Sequence, residues 1–436
     1  MKRLSALALV GFAAFCGPAQ GQSNPAAAIY DAAEIETWRP RYQKGWMTNY
    51  RGVFLPDFTA EEKARLDGVE FRFEPIVPQN EPFAFYSTGD KVVASAASLK
   101  FLDDLSVATA WLDLNGFEQQ TVADYMLMLH YWPSREGGKR PPKLLEALCI
   151  PADALSNRKV DERANRIFDS VVVFILLHEL GHVFWGHPGY VGIAPETARA
   201  NEEAADRFAL DILARVNEAP LGVSVLFLSM ANLWENRADF GTDEQYRRAM
   251  AARTHPLSSA RLQSFASHLA GAGRGFKGDS RAVALKTSLD ISQLALLLGD
   301  LDVQRLSASI GHTVIPADLA PRRRGQHLVP SCRAPAPTGL PFDGQFHGTV
   351  VLGKTDFDLD AVLRQAGDRV TGSYSFGAGF ARIEGVAAAS GLTYDWALPP
   401  DKGRGSGTLQ DGAYTGTWGM GAADSGGGSV SLRRQH

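Results

Sequence analysis

The chain has 436 residues, with 48 acidic against 44 basic side chains, a net charge of −4 and 45% hydrophobic residues. That length suits two or three globular units. The mild acidity argues against a nucleic-acid-binding protein, which needs a basic surface.

Lys2 and Arg3 precede an apolar stretch, Leu4 to Cys16, that is too short to span a bilayer. Ala19-Gln20-Gly21 follows, with small residues where a signal peptidase reads. Residues 1–21 are therefore expected to be a signal peptide cleaved before Gln22, and the expected location is periplasmic or secreted. Phe15 is too large to precede a lipidated Cys16. Export would leave Cys149 and Cys332, and an oxidising compartment permits a bridge. Whether they pair stays open. The longest later apolar run, Leu221 to Leu233, is interrupted by Ser and Asn, so no transmembrane segment is expected after signal removal.

Trp38 to Tyr42 show no dominant period and read as irregular structure. Thr59 to Leu66 reads as a short helix capped by Thr59. Val69 to Pro75 alternates as a strand does, and Pro82–Tyr86 and Lys91–Ala94 flank Ser87-Thr88-Gly89-Asp90 as a hairpin. Helices are expected over Ser98 to Leu114, with Ser98 as cap, and over Thr121 to Tyr131. Gly137 to Pro142 is a loop, and a short helix ends by Ile150.

A long helix is expected from Asp161 to Gly186, stopped by Pro188-Gly189. Its apolar run, Ile167 to Leu177, leads into His178-Glu179-Leu180-Gly181-His182. Residues four apart share a helix face, so His178 and His182 can present two imidazoles to one metal ion. Glu179, one position round, is placed to act as general base. Polar groups at the end of a buried helix need partners, and a metal supplies them.

Asn201 to Leu213 has apolar residues at 205, 208, 209, 212 and 213, the pattern of a second amphipathic helix. Glu202 is the preferred third ligand, because Asp206 lies four residues on and can orient a ligating histidine from behind. Glu203 is the competing ligand. Here the chain resembles the gluzincin metallopeptidases, in which H-E-x-x-H is followed on a second helix by a ligand Glu and then an Asp. The spacing is similar to that of thermolysin-type enzymes, and Glu202-x-x-Ala205-Asp206 is similar to the HtpX and prenyl-protease group. The resemblance implies a zincin-like fold in which an edge strand before the metal helix pairs with extended substrate. It also implies one Zn2+ held by His178, His182 and Glu202, and hydrolysis of peptide or protein substrates with Glu179 as base.

His187 lies five residues past His182 and reads as a loop residue or a support rather than a ligand. Tyr190 is a weak candidate to face substrate. A third apolar helix runs from Pro220 to about Trp234. Thr254-His255-Pro256, followed by Arg261, resembles a segment of the same relatives, which implies His255 as a catalytic group stabilising the oxyanion. Arg261 would be a supporting charge, paired with Asp206 or Glu203. Helices are expected over 257–270 and 281–308.

Residues 313–340 read as a Pro-rich linker. Eight short alternating runs follow between Gly348 and Leu432, separated by Gly-rich turns, as in a small antiparallel barrel or sandwich. Their general pattern resembles calycin-like appended barrels. The expected fold class is thus α+β multidomain: a signal peptide (1–21), an α-rich zincin-like unit with a small sheet (22–312), the linker (313–340) and a β module (341–436). The competing reading of function is a catalytically weak or silent zinc-containing protein whose β module engages partners. Oligomeric state is not legible.

Overall fold

The computed structural model describes residues 29–76, 83–117, 119–189, 193–233, 237–252, 257–313, 319, 339–376, 379–398 and 401–435. The expected signal peptide, Tyr190, His255, Cys332 and most of the expected linker lie outside them.

The first helix, α1 (Ala32–Asn49), occupies the stretch expected to be irregular. Pro40 sits inside it, at a cost of about 3 kcal/mol. Ile35, Tyr42 and Trp46 recur at helical spacing and are buried, and each such side chain contributes roughly 1.5–3 kcal/mol. The apolar face outweighs the proline. Helix α2 (Ala60–Arg65) follows, closed by a capping box. Glu62 N–H donates to the Thr59 hydroxyl at 3.2 Å, and Thr59 N–H to the Glu62 carboxylate at 2.7 Å.

Strands β1 (Glu70–Glu74), β2 (Phe85–Thr88) and β3 (Lys91–Ser95) form a sheet of order β1-β3-β2. The β2–β3 hairpin is antiparallel, while β1 joins β3 in parallel. β2 is left at an edge. Helix α3 (Ala96–Leu114) starts earlier than expected. Its cap is Ser95, whose hydroxyl accepts from Ser98 N–H at 3.3 Å. The buried Ser98 hydroxyl instead accepts from Ala84 N–H at 3.1 Å, tying the helix to the approach of β2.

Helix α4 (Gln120–Glu136) continues past Tyr131 through Pro133, and α5 (Leu144–Ala147) is a single turn. Helix α6 (Arg158–Trp185) is capped by the Asn157 side chain and ends at Gly186 in the left-handed region, φ 64°. Helices α7 (Pro195–Val216) and α8 (Val223–Leu233) pack against it. Helix α9 (Asp243–Ala252) had no counterpart in the sequence reading, and α10 (Ser259–Ala272) did. The stretch expected as one helix over 281–308 is two, α11 (Gly278–Gly299) and α12 (Leu301–Thr313). Asp300 breaks it, its carboxylate accepting from the N–H groups of Asp302 and Val303 at 3.0 and 3.3 Å.

By length and composition alone, α6 and α11 could each cross a membrane, which corrects the expectation that no later segment is long and apolar enough. In α6, 83% of the apolar window is buried inside the protein, the signature of a core helix; in α11, 33% is buried.

Strands β4 (Gly344–Leu352), β5 (Thr355–Ala366), β6 (Arg369–Phe376), β7 (Gly379–Ala388), β8 (Gly391–Leu398), β9 (Asp401–Gln410), β10 (Ala413–Met420) and β11 (Gly428–Arg434) close into one antiparallel barrel. Closure through the β11–β4 pair leaves no free edge. The fold is therefore helix-rich α+β with a small sheet, followed by a β-barrel; of the two β architectures expected, it is the barrel. Ion pairs from α12 reach it, Arg305 to Glu384 and Asp395, and Asp302 to Lys402. Cys149 is disulfide-bonded, to a partner outside the described residues.

Candidate metal centre

The centre forms where α6 crosses α7. Gly181 lies at the crossing: a Cβ there would sit 3.0 Å from Ala205 Cα and 3.2 Å from Phe208 Cβ. Its lack of a side chain lets the two backbones approach closely enough for residues on both helices to meet.

Their facing side chains converge. His178, His182 and Glu202 are all buried, with one ligating atom from each within 4.8 Å of the others. The two Nε2 atoms lie 3.1 Å apart. Glu202 places its two oxygens 3.5 Å from His178 Nε2 and 3.5 Å from His182 Nε2. Glu203 points elsewhere, toward Arg207 and Ser264. The helical periodicity that separates adjacent residues by about 100° also separates the two candidate carboxylates.

Behind the cluster, His178 Nδ1 lies 2.9 Å from Asp206 Oδ1. His182 Nδ1 lies 2.9 Å from His187 Nδ1. Gly186 turns the chain so that His187 N–H donates to His182 C=O at 3.0 Å, which brings the second ring back against the first. Arg261, from α10, completes the arrangement. Its guanidinium donates to both Asp206 oxygens at 2.9 and 3.0 Å and pairs with Glu202 at 2.8 Å. Of the two carboxylates expected for it, the partner is Asp206; its contact with Glu202 was not foreseen.

The donor set fits a cation. An ionised Asp206 only accepts, so the proton at its contact belongs on His178 Nδ1, and Nε2 is left as a bare acceptor. If His182 likewise donates to His187, two lone pairs face each other at 3.1 Å beside a carboxylate. The charges agree: Glu179, Glu202 and Asp206 are all buried, and Arg261 is the cation paired with two of them. Burial works against charging His178, yet Asp206 and Glu202 outweigh it and raise the ring to about 10. Among the described residues the site is short of positive charge. A proton partly meets that need, and a metal ion meets it fully. Burial also works against an ionised Asp206, but Arg261 and His178 hold its carboxyl below the usual range.

Glu179 is buried beside the cluster. Desolvation raises its carboxyl to about 7, Glu202 adds to the rise, and His178, Ser87 and Arg261 oppose it. Ser87 belongs to edge strand β2, and its side chain reaches the neighbourhood of this carboxylate, where it favours the charged form. The sequence showed Ser87 only as a hairpin residue; nothing local marked its reach across to α6. An apolar cavity of about 80 Å3 adjoins the cluster, walled by Phe83, Phe85, Phe174, Phe227 and Met230. Phe174, Phe227 and Phe265 pack edge to face with ring centres 5.0 to 5.9 Å apart, fixing that wall.

The sequence model of the family Peptidase U49 matches residues 133–276, from within α4 to just past α10. The matched segment contains every residue of the cluster and its supports except Ser87, and the match supports a peptidase. No curated protein and no solved structure matches the chain.

Proposed function

We propose that this chain is an exported, zinc-dependent metallopeptidase of the gluzincin type acting on peptide or protein substrates. The observation that carries the reading is the buried convergence of His178, His182 and Glu202 with Glu179 beside them, inside the segment matched by a peptidase family. Zinc held by those three side chains would supply a Lewis acid that polarises the scissile carbonyl and acidifies a water. Glu179 takes a proton from the attacking water on its carboxylate and returns it to the leaving amine nitrogen as the C–N bond breaks. Burial raises the Glu179 carboxyl in the metal-free centre, and a bound cation would oppose that rise and favour the carboxylate that accepts the proton.

The other residues position these groups. Asp206 holds the ring of His178, His187 that of His182, and Arg261 offsets the charge of Glu202 and Asp206. The free edge of β2 supports an extended substrate through backbone hydrogen bonds. The neighbouring apolar cavity then accepts a side chain next to the scissile bond. His255 is assigned to the oxyanion on sequence grounds. In this reading residues 1–21 direct export to the periplasm or beyond, 22–312 form the peptidase unit, 313–340 link, and 341–436 form a separate module.

Metal analysis of the purified protein tests the assignment. Wild type should carry about one zinc per chain, His182→Ala and Glu202→Ala should lose most of it, and Glu203→Ala should keep it. Retention in Glu202→Ala together with loss in Glu203→Ala would reject the third ligand, and zinc unaffected by His182→Ala would reject the centre.

A further inference from the structure

The interior of the barrel has no part in peptide hydrolysis, yet it is built around space. Strand β9 turns glycines inward where neighbouring rings lie. A Cβ at Gly403 would sit 2.6 Å from the Trp396 ring, at Gly405 2.4 Å from the Tyr394 ring, and at Gly407 2.6 Å from the Tyr414 ring. Even with these rings inside, a cavity of about 180 Å3 remains, lined by apolar side chains such as Leu359, Ile383, Leu392 and Val430. An engineered apolar cavity of about 150 Å3 is enough to take benzene.

One end of the cavity is shut and the other is not. Phe342, fully buried, plugs the end where β4 begins. It is held there by its own N–H donating to Gln365 Oε1 at 2.8 Å and by Arg434 donating to Leu340 C=O at 3.0 Å. At the opposite end the lining residues are Leu352, Leu398, Asp401 and Met420, and Met420 is 51% exposed.

Three polar groups on rings that line the cavity make no hydrogen bond among the described residues: the Tyr414 hydroxyl, which lies beside that of Tyr394, and the indole N–H groups of Trp396 and Trp418, which have no such neighbour. The rings pack edge to face, centres 5.6 Å apart and planes at 81°. In such a pair only one ring presents its edge, so at most one N–H meets a π face. A buried donor without an acceptor is unfavourable, and a ligand oxygen would relieve it. Asp401 is the one charged side chain among the described residues of the lining, which disfavours anions.

We propose that the barrel interior is a binding site for a small neutral molecule, about one aromatic ring in size, carrying an acceptor oxygen that receives an indole N–H of Trp396 or Trp418. The plug at Phe342 and the volume exclude a long alkyl chain. The test is calorimetric titration of the full chain with acetophenone, with its oxygen-free counterpart isopropylbenzene, and with phenylacetate. Acetophenone should bind at one site, ~3–10-fold tighter than isopropylbenzene, the range expected for one net hydrogen bond, and phenylacetate should not compete. Trp396→Phe combined with Trp418→Phe should erase the preference and leave isopropylbenzene binding unchanged. Leu392→Trp should fill the cavity and abolish binding of both. Acetophenone should also shift the indole N–H resonances of Trp396 and Trp418 in the wild-type protein, a readout that needs no variant to fold. Absence of saturable binding at millimolar acetophenone, equal affinity for the two neutral probes, or undiminished binding to a folded Leu392→Trp protein would each overturn the proposal.

Discussion

At the scale of single residues, the centre is governed by how three buried carboxylates share too little positive charge. His178 shows this most clearly, since Asp206 and Glu202 raise its ring to about 10 against the penalty of burial. An unfolded histidine titrates near ~6.5. A group whose folded pKa is raised contributes stability that is fully present below its unfolded pKa and is lost as pH rises through the folded one. Glu179, raised to about 7, also loses stability with rising pH, as its buried charge forms. Asp206, held low, acts only below the ordinary carboxylate range. Metal-free protein should therefore show a Tm that falls from about pH 4.5 to 7 through Glu179 and from about pH 6.5 to 10 through His178, and Asp206→Asn should flatten the upper part of that fall. A flat profile in metal-free wild type would contradict this charge balance. The ligand residues were legible because four-residue spacing on a helix is arithmetic: His178 to His182 and Glu202 to Asp206 declare a shared face. Ser87 was not, because its meeting with Glu179 depends on where a distant hairpin docks.

Among the elements, the crossing of α6 and α7 matters most. Gly181 permits it, and a methyl group there must displace Ala205 and with it Glu202. Gly181→Ala should destabilise the protein by about 1–3 kcal/mol, the usual cost of overpacking. It should also weaken zinc binding while leaving the helical circular dichroism in place. Unchanged zinc affinity would show that α7 tolerates the shift. Elements with clean periodicity, α6, α7 and the hairpin, were visible in the sequence. Helix α1 was hidden by Pro40 although Ile35, Tyr42 and Trp46 lie on one buried face. The α11–α12 break was missed because Asp300 serves as a cap inside an otherwise continuous apolar pattern. Tertiary burial overrode local propensity in the first case, and a single side chain decided the second.

Across the whole molecule, the barrel meets the helical region through exposed ion pairs of Arg305 and Lys402 and through a buried pair, Arg382 to Asp124 at 3.4 Å. The exposed pairs contribute about 0–1 kcal/mol each, and separating the two parts returns Arg382 and Asp124 to water instead of orphaning either charge inside, so neither part depends on the other. Residues 340–436 expressed alone should therefore give a cooperative thermal transition with a β-type spectrum, and residues 22–338 should keep their zinc. Zinc loss on that truncation would show that the barrel completes the centre. The barrel's strand count was readable from alternation and Gly-rich turns. Its closure was not, because sequence alternation does not distinguish a first strand that pairs with the last from one left at an edge.

The central claim is that Glu179 works as a general base beside a metal held by His178, His182 and Glu202. The most direct measurement is the rate at which zinc-loaded wild type and Glu179→Gln cleave an unfolded protein, with zinc content recorded on the same samples. Glu179→Gln should keep its zinc and fold and lose about 10²–10⁴-fold in kcat, and chelation should abolish wild-type cleavage until zinc is restored. Equal cleavage by the two proteins, or none by zinc-loaded wild type, would contradict it.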